Sequence, residues 1–522
     1  MKARTLATTA LAAGGVQALA LSATLPGPFS GALHILSLAP LALLLHGAPS
    51  CRSAALAGWL FALAWLTGSF WWLFISMHIY GGLAAPLAAL AVLALAAFLA
   101  LYYGAAGAAL AWCSARGVRG VPWALCYAAL WTLAEVARGR LLTGFPWAAG
   151  GYAHVDWQLA QLAPYVGVYG IGWLAAFIAA LAALACAPGS ARSLERYRVY
   201  CTAAIALLLI LPTLIPAPEA ARSGALPPLR VQLLQGNIPQ DEKFVPGTGI
   251  ADSLAWYGAQ IAQSSAPLVV GPETAVPVLP QELPDGYWEA LQRRFVSGGQ
   301  AALLGIPLGD FEVGLTNSVI GIAPGSAALY RYNKHHLVPF GEFIPPLFKW
   351  FVHAMNIPLG DFDRGALRQP SFAWQGQRLA PNICYEDVFG EELAARFLDA
   401  AAAPTAFVNL SNIAWFGASN AIAQHLAMSR MRAIEFARPM LRATNTGATA
   451  IIDASGRVTH RLPALKRAVL EGEFIGRSGI TPYVRWVSRF SLWPLVAACA
   501  ACIVACLAVA RWRARVVIYP QH

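Results

Sequence analysis

Apolar and polar positions divide this chain into two kinds of stretch. Up to about residue 218 the apolar residues run on without a polar face. They form blocks long enough to cross a bilayer, which takes about 20 apolar residues per helix. The blocks fall at approximately 5–24, 29–47, 54–76, 82–112, 121–138, 163–187 and 199–217, and another follows at 489–510. The fourth is overlong, so it is expected to tilt or to extend past the bilayer. Between about 220 and 485 the pattern changes to short apolar runs alternating with amphipathic ones. LRVQLLQGNI, PLVVGPE, AALLGIP, NSVIGIAP, AALYRYNK, RLAPNICYED and TAFVNLSN read as strands. ADSLAWYGAQIAQ, GYWEALQRRFVSGG, EELAARFLDAA and AQHLAMSRMRAIEFA read as helices, and DASG, within a later strand pair, as a hairpin turn. The division predicts a membrane domain over 1–218 with about seven helices and a polar domain over 219–485. An eighth membrane helix and a basic tail then occupy 486–522.

Composition sharpens this reading. Of 522 residues, 58% are hydrophobic and 12% charged, against about 25% charged in soluble domains. The net charge of +11 does not point to nucleic acid, because many arginines fall in short loops between apolar blocks, where they set topology. Lys2, Arg4, Arg52, Arg116, Arg119, Arg192, Arg196, Arg198, Arg511, Arg513 and Arg515 all lie on one side of an eight-span chain. The positive-inside rule makes that side cytoplasmic. Both termini are then cytoplasmic and the polar domain is periplasmic. The basic start and apolar run of the first 23 residues also suit a signal peptide; the apolar block that follows at once favours an uncleaved span. Arg138 and Arg140 break the pattern on the outer side, where they and the aromatics Phe145 and Trp147 suit lipid headgroups. Glu135 is expected to pair with one of them, since an unpaired charge there is costly. Gly104 and Gly107 suit close helix contact, and the glycines of GVYGIGW are assigned to helix packing because no strand precedes them.

The candidate chemistry sits in the polar domain. Eight of the nine cysteines lie in or beside the apolar blocks; Cys384 alone does not. It stands where a strand-like run meets a turn, the place where α/β folds expose reactive groups. A lone cysteine is by default a small buried hydrophobe, and a thiolate nucleophile needs a base or a cation nearby. Glu273 in PLVVGPETAVP and Lys334 in YRYNKHHLVPFGEF each follow a strand-like run and meet that need. His335 and His336 lack partners at metal-ligand spacing and are assigned to structural hydrogen bonds. The apolar, aromatic stretch 345–370, which contains Trp350, is either a satellite core or a lid that admits an acyl chain.

The order Glu, Lys, Cys, each at a strand end, resembles the nitrilase superfamily. LTGFPW (Leu142–Trp147), QGNIPQ (Gln235–Gln240), GPET, NKHHLVPFGEF, NICYEDVF and SNIAWFG (Ser411–Gly417) occur in one order between hydrophobic spans. Together they resemble the apolipoprotein N-acyltransferases, membrane-embedded members of that superfamily. The resemblance implies a multi-span α-helical membrane domain plus a nitrilase-like αββα sandwich. It implies transfer of an acyl chain from a phospholipid, phosphatidylethanolamine being the expected donor, to the N-terminal amine of a diacylglyceryl-modified apolipoprotein. Cys384 is then the nucleophile, Glu273 the base and Lys334 the cation, with the Tyr385 N–H as a second oxyanion donor. Glu342 and Glu386 resemble the family's supporting acids, and Trp147, Phe244, Trp350, Trp415 and Phe416 are lipid-lining candidates. Ile413 stands where the family usually has Asp, and Phe244 where it often has Trp. No metal, cofactor or nucleic acid is implied; membrane lipid is. The alternative is a membrane-anchored amidase with the same triad, for which the eight spans have no purpose. A transporter is disfavoured because the spans carry almost no internal charge.

Overall fold

The computed structural model describes residues 3–187, 192–222, 224–310, 312, 314–326, 328–344 and 362–518. It divides into two compact units. The first comprises Met1–Trp71, Pro86–Pro216 and Phe490–His522; the second comprises Trp72–Ala85 and Ala217–Arg489.

The first unit is helical. Its long helices are Ala3–Ala20, Gly27–His46, Cys51–Phe70, Ala85–Ala115, Val121–Arg140, Ala163–Cys186, Arg192–Leu214 and Trp493–Ile518. Among the described residues, five helices are long and apolar enough to cross a membrane: Gly27–His46, Cys51–Phe70, Ala85–Ala115, Gln158–Cys186 and Trp493–Arg515. Val121–Arg140 carries Glu135, Arg138 and Arg140 and is less apolar. Ala85–Ala115 has 31 residues, about 46 Å at 1.5 Å per residue, and so exceeds a hydrocarbon layer of about 30 Å. Leu36, Leu90, Leu101, Ile210 and Val504 are more than half exposed, an apolar exterior suited to lipid. Inside, Trp65 stacks on Trp131 at 5.7 Å between ring centroids. Gly107 packs against the Ala54 carbonyl, 2.6 Å from where a Cβ would sit, so any side chain there would separate the helices.

Two expectations are corrected in this unit. The third block was read as apolar to residue 76, but its helix ends at Phe70. The aromatic run beyond it joins the second unit, where the Trp72 indole donates to Gln424 Oε1 at 3.0 Å. Glu135 and Arg138 act on each other's charge but form no direct salt bridge. Glu135 Oε1 accepts the Gly150 N–H at 2.7 Å. Arg138 instead donates to the carbonyls of Phe145 (2.5 Å) and Trp147 (2.8 Å) and to the Tyr103 hydroxyl (3.0 Å). A buried arginine carries several N–H donors and satisfies more than one acceptor of the turn at once.

Among the described residues, the second unit holds twelve strands in two sheets. The strands are β1 (Ala225–Gln235), β2 (Leu268–Val270), β3 (Ala301–Asp310), β4 (Gly314–Ile322), β5 (Tyr330–Asn333) and β6 (Phe372–Trp374). They continue with β7 (Gln377–Ile383), β8 (Ala406–Ser411), β9 (Met440–Thr444), β10 (Ala450–Ile452), β11 (Val458–Arg461) and β12 (Ala468–Arg477). One sheet has the order β12-β1-β2-β3-β4-β5 and the other β11-β10-β9-β8-β7-β6. Alternation along the strands builds the layers. Val231, Leu233, Leu268, Val270 and Leu303 of the first sheet pack with Leu379, Ile383, Val408, Leu410 and Leu441 of the second. Leu234, Val269, Leu304 and Ile306 face the other way, onto Leu254, Tyr257 and Ile261 of the helix Gly249–Gln263 and onto Leu291 and Phe295 of Tyr287–Val296. On the far side of the second sheet, Phe407 meets Phe436 of the helix Ala421–Phe436 edge-on at 5.1 Å. The result is a four-layer αββα sandwich.

Candidate active site

β2 and β3 are parallel, as are β7, β8 and β9. β5, antiparallel to β4, runs in the direction of β2 and β3. Glu273, Lys334, Cys384 and Asn412 therefore all follow the C-terminal ends of strands. Gly305 on β3 makes the Glu273 turn possible: a Cβ there would lie 2.4 Å from the Pro272 carbonyl oxygen and 2.7 Å from Glu273 Cα.

Cys384 leaves β7 with φ of +51°, a left-handed conformation that costs a non-glycine residue about 1–3 kcal/mol. Its surroundings hold it there. Glu386 Oε2 reaches back to the Ile383 N–H at 2.6 Å. The Cys384 carbonyl lies 3.1 Å from Asn409 Nδ2 and 3.2 Å from His425 Nε2. A one-turn 3-10 helix, Cys384–Val388, follows. The single helix read from EELAARFLDAA is instead the short Gly390–Ala394 and a 3-10 turn, Ala395–Phe397.

Lys334 lies between two carboxylates. Its ammonium bonds Glu342 Oε1 at 2.8 Å and Glu273 Oε1 at 3.3 Å, with all three side chains at most 9% exposed. Asn317 Nδ2 donates to the same two oxygens, at 2.7 Å each. The Asn412 backbone N–H donates to Glu273 Oε2 at 2.8 Å, and Val338 N–H to Glu342 Oε2 at 2.8 Å. Burial disfavours charge on Lys334, but Glu273 and Glu342 outweigh it and hold the ammonium above its ordinary range. Burial and the Glu273 charge push the Cys384 thiol up to about 12, with Lys334 opposing. Cys384 therefore rests as a thiol beside a hydrogen-bonded carboxylate.

Glu386 is a hub. Oε2 also accepts the Tyr332 hydroxyl at 2.8 Å, and Oε1 accepts the backbone N–H of His335 (2.6 Å) and His336 (3.2 Å). One buried carboxylate thus ties the Cys384 turn to the residues after Lys334. His335 Nδ1 meets the Gly365 carbonyl at 2.8 Å. His336 stacks on Phe389 at 3.6 Å, with Nδ1 3.1 Å from Glu392. Tyr385 is buried and packs edge-on against Phe389 at 5.0 Å. Trp415 meets Tyr80 at 5.9 Å and Phe416 meets Trp72 at 4.2 Å. Phe244 is 37% exposed, Trp147 is buried in the helical unit, and Ile413 is buried. Trp350 and residues 345–361 of the expected lid lie outside the described residues. Among the described residues, no group of three or more His, Cys, Asp or Glu is placed to hold a metal ion.

Several residues of the site escaped the sequence. Asn317 sets both carboxylates, and Asn412 sets Glu273. Lys243, 1% exposed, donates to the Glu273 carbonyl at 3.0 Å, and burial pulls it down to about 7 against the charge of Glu273. Its place three residues after Gln240, in a motif already singled out, was the one available signal.

The fold and this constellation define the carbon–nitrogen hydrolase class, and residues 231–474 match the Carbon-nitrogen hydrolase family. Residues 17–181 match the Apolipoprotein N-acyltransferase N-terminal domain. The apolipoprotein N-acyltransferase of Verminephrobacter eiseniae is 55% identical, over 91% of this chain and 92% of that protein. That of Ralstonia nicotianae is 48% identical, over 87% and 85%. A solved amidase from Nesterenkonia sp. is 16% identical with a TM-score of 0.37, over 49% of this chain and 92% of that one. The chain belongs to the apolipoprotein N-acyltransferase family.

Proposed function

We propose that the chain transfers a fatty acyl chain from a phospholipid to the N-terminal amine of an S-diacylglyceryl cysteine on an apolipoprotein, through a thioester on Cys384. The observation that carries this reading is the buried Glu273–Lys334–Glu342 cluster, whose charges act on a thiol held at a strand end. Family membership and the long apolar helices support a lipid donor. Phosphatidylethanolamine is the donor we expect.

The steps follow from the thiol's resting state. As Sγ attacks the ester carbonyl carbon, its proton passes to Glu273. Negative charge on the former carbonyl oxygen is met by the Lys334 ammonium and the Tyr385 N–H. The glyceryl oxygen leaves with the proton from Glu273, releasing lysophospholipid. The acceptor amine then attacks the thioester, Glu273 takes the amine proton, and that proton returns to the departing thiolate. Each half-reaction begins and ends with Glu273 ionised, so one site serves two substrates in turn. Glu342 keeps Lys334 charged and fixed in position. Phe244, Trp415, Phe416 and Trp350 are the residues we assign to lipid contact; Trp147, buried inside the helical unit, is not one of them.

Topology belongs to the same proposal. The alternation of basic loops supports a bacterial inner-membrane protein with cytoplasmic termini and a periplasmic catalytic domain over about 219–485, between membrane portions 1–218 and 486–522.

The test supplies phosphatidylethanolamine with a labelled acyl chain and a diacylglyceryl-cysteine peptide. Label should reach the peptide with the natural protein and not with Cys384→Ala. Label released as free fatty acid at one rate, with or without peptide, would make the chain a hydrolase instead.

A further inference from the structure

Behind the nucleophile lies a second buried polar cluster to which the mechanism assigns nothing. Its members are Asp387, His425, Ser429 and Arg442, none of them exposed. Arg442 Nη2 lies 3.2 Å from His425 Nδ1. An arginine only donates, so Nδ1 is the acceptor and the imidazole carries its proton on Nε2. That N–H points at Asp387 Oδ1 (2.8 Å) and at the Cys384 carbonyl oxygen (3.2 Å). Arg442 Nη1 also bonds Asp387 Oδ2 at 3.2 Å, and Ser429 donates to that same oxygen. Asp387 and Arg442 thus fix both the ring's tautomer and its orientation. Asn409 Nδ2, itself bonded to Asn382 Oδ1 at 2.7 Å, is the second donor to the Cys384 carbonyl.

The Cys384–Tyr385 peptide is planar and trans, so its carbonyl and its N–H point in opposite directions. Pinning the carbonyl therefore aims the N–H. We propose that His425 and Asn409 are positioning residues: by holding the Cys384 carbonyl, they keep the nucleophile in its left-handed conformation and aim the Tyr385 N–H at the developing oxyanion. This rests on Cys384 being the acylated residue. It predicts a loss in the chemical step and not in lipid binding, because neither side chain is asked to touch the lipid.

The experiment follows acyl-thioester formation on the full-length protein in detergent micelles, as a function of phosphatidylethanolamine concentration. His425→Leu fills similar space without a donor, and His425→Gln returns an N–H near the position of Nε2. The Leu variant should slow acylation at saturating lipid about 10- to 100-fold, with the half-saturating concentration changed by less than about twofold. The Gln variant should stay within about fivefold of the natural protein. A Leu variant that acylates at the natural rate, or a Gln variant as slow as the Leu variant, overturns the proposal. If the Leu variant does not fold, the tautomer decides. In 15N-histidine spectra of the natural protein, assigned with His425→Gln, the Nε2–H form is expected and the Nδ1–H form overturns the proposal. Absence of a thioester on Cys384 in the natural protein would instead remove the reading on which the proposal stands.

Discussion

Glu386→Gln tests whether the Cys384 turn is held by this carboxylate. Four donors converge on this carboxylate: the Ile383 N–H and Tyr332 hydroxyl on Oε2, and the His335 and His336 N–H groups on Oε1. An amide has the same shape but replaces one oxygen by a donor. With the NH2 at the Oε2 position, the Tyr332 hydroxyl can rotate to accept, and only the Ile383 N–H is orphaned. With the NH2 at Oε1, two backbone N–H groups are orphaned. The first arrangement wins, and a buried unsatisfied donor costs about 1–3 kcal/mol. The three bonds that survive lose charge assistance, about 1 kcal/mol each. That loss is offset by no longer burying a charge, itself worth several kcal/mol. The net is about 1–3 kcal/mol of lost stability. At roughly 2–4 °C per kcal/mol, the unfolding midpoint in detergent falls by roughly 2–12 °C. Because the Ile383 N–H adjoins Cys384, thioester formation should also slow by about tenfold or more. An amide variant that matches the natural protein within about 1 °C and about twofold in rate would refute the hub.

Two further predictions concern charge. With its thiol at about 12, Cys384 in the lipid-free protein should react with iodoacetamide about tenfold faster per pH unit from 7 to 10, followed by peptide mass; a plateau below pH 8 would mean a resting thiolate. Lys243, held at about 7 against about 10.4 when free, binds fewer protons folded than unfolded across that interval, so stability rises with pH there. The natural protein should gain stability over Lys243→Met between pH 7 and 10 in unfolding scans, and equal changes in the two would contradict the burial of a neutral amine.

The strand ends that carry Glu273, Lys334 and Cys384 were legible because each closes an apolar run with polar or turn-forming residues. β12 was not read as a strand, since charges at Glu471 and Glu473 interrupt its apolar residues, yet it pairs along β1 from Ala468 to Arg477. β6 is only three residues long. The aromatic run after Phe70 looked like more membrane helix, because composition does not reveal that Trp72 bonds Gln424, 352 positions away. The same limit hid the polar frame of the site. Asn412 reaches Glu273 across 139 positions and His425 reaches Cys384 across 41. No local pattern marks an asparagine or histidine that acts at such separation.

We infer that Cys384 carries the acyl chain between two substrates. The direct measurement is the intact mass of the purified protein after incubation with phosphatidylethanolamine and no acceptor. One added acyl group is expected, absent in Cys384→Ala, removed by neutral hydroxylamine and discharged by a diacylglyceryl-cysteine peptide. An unmodified protein that nevertheless acylates the peptide would contradict that inference, because transfer would then be direct and the thiol would carry nothing.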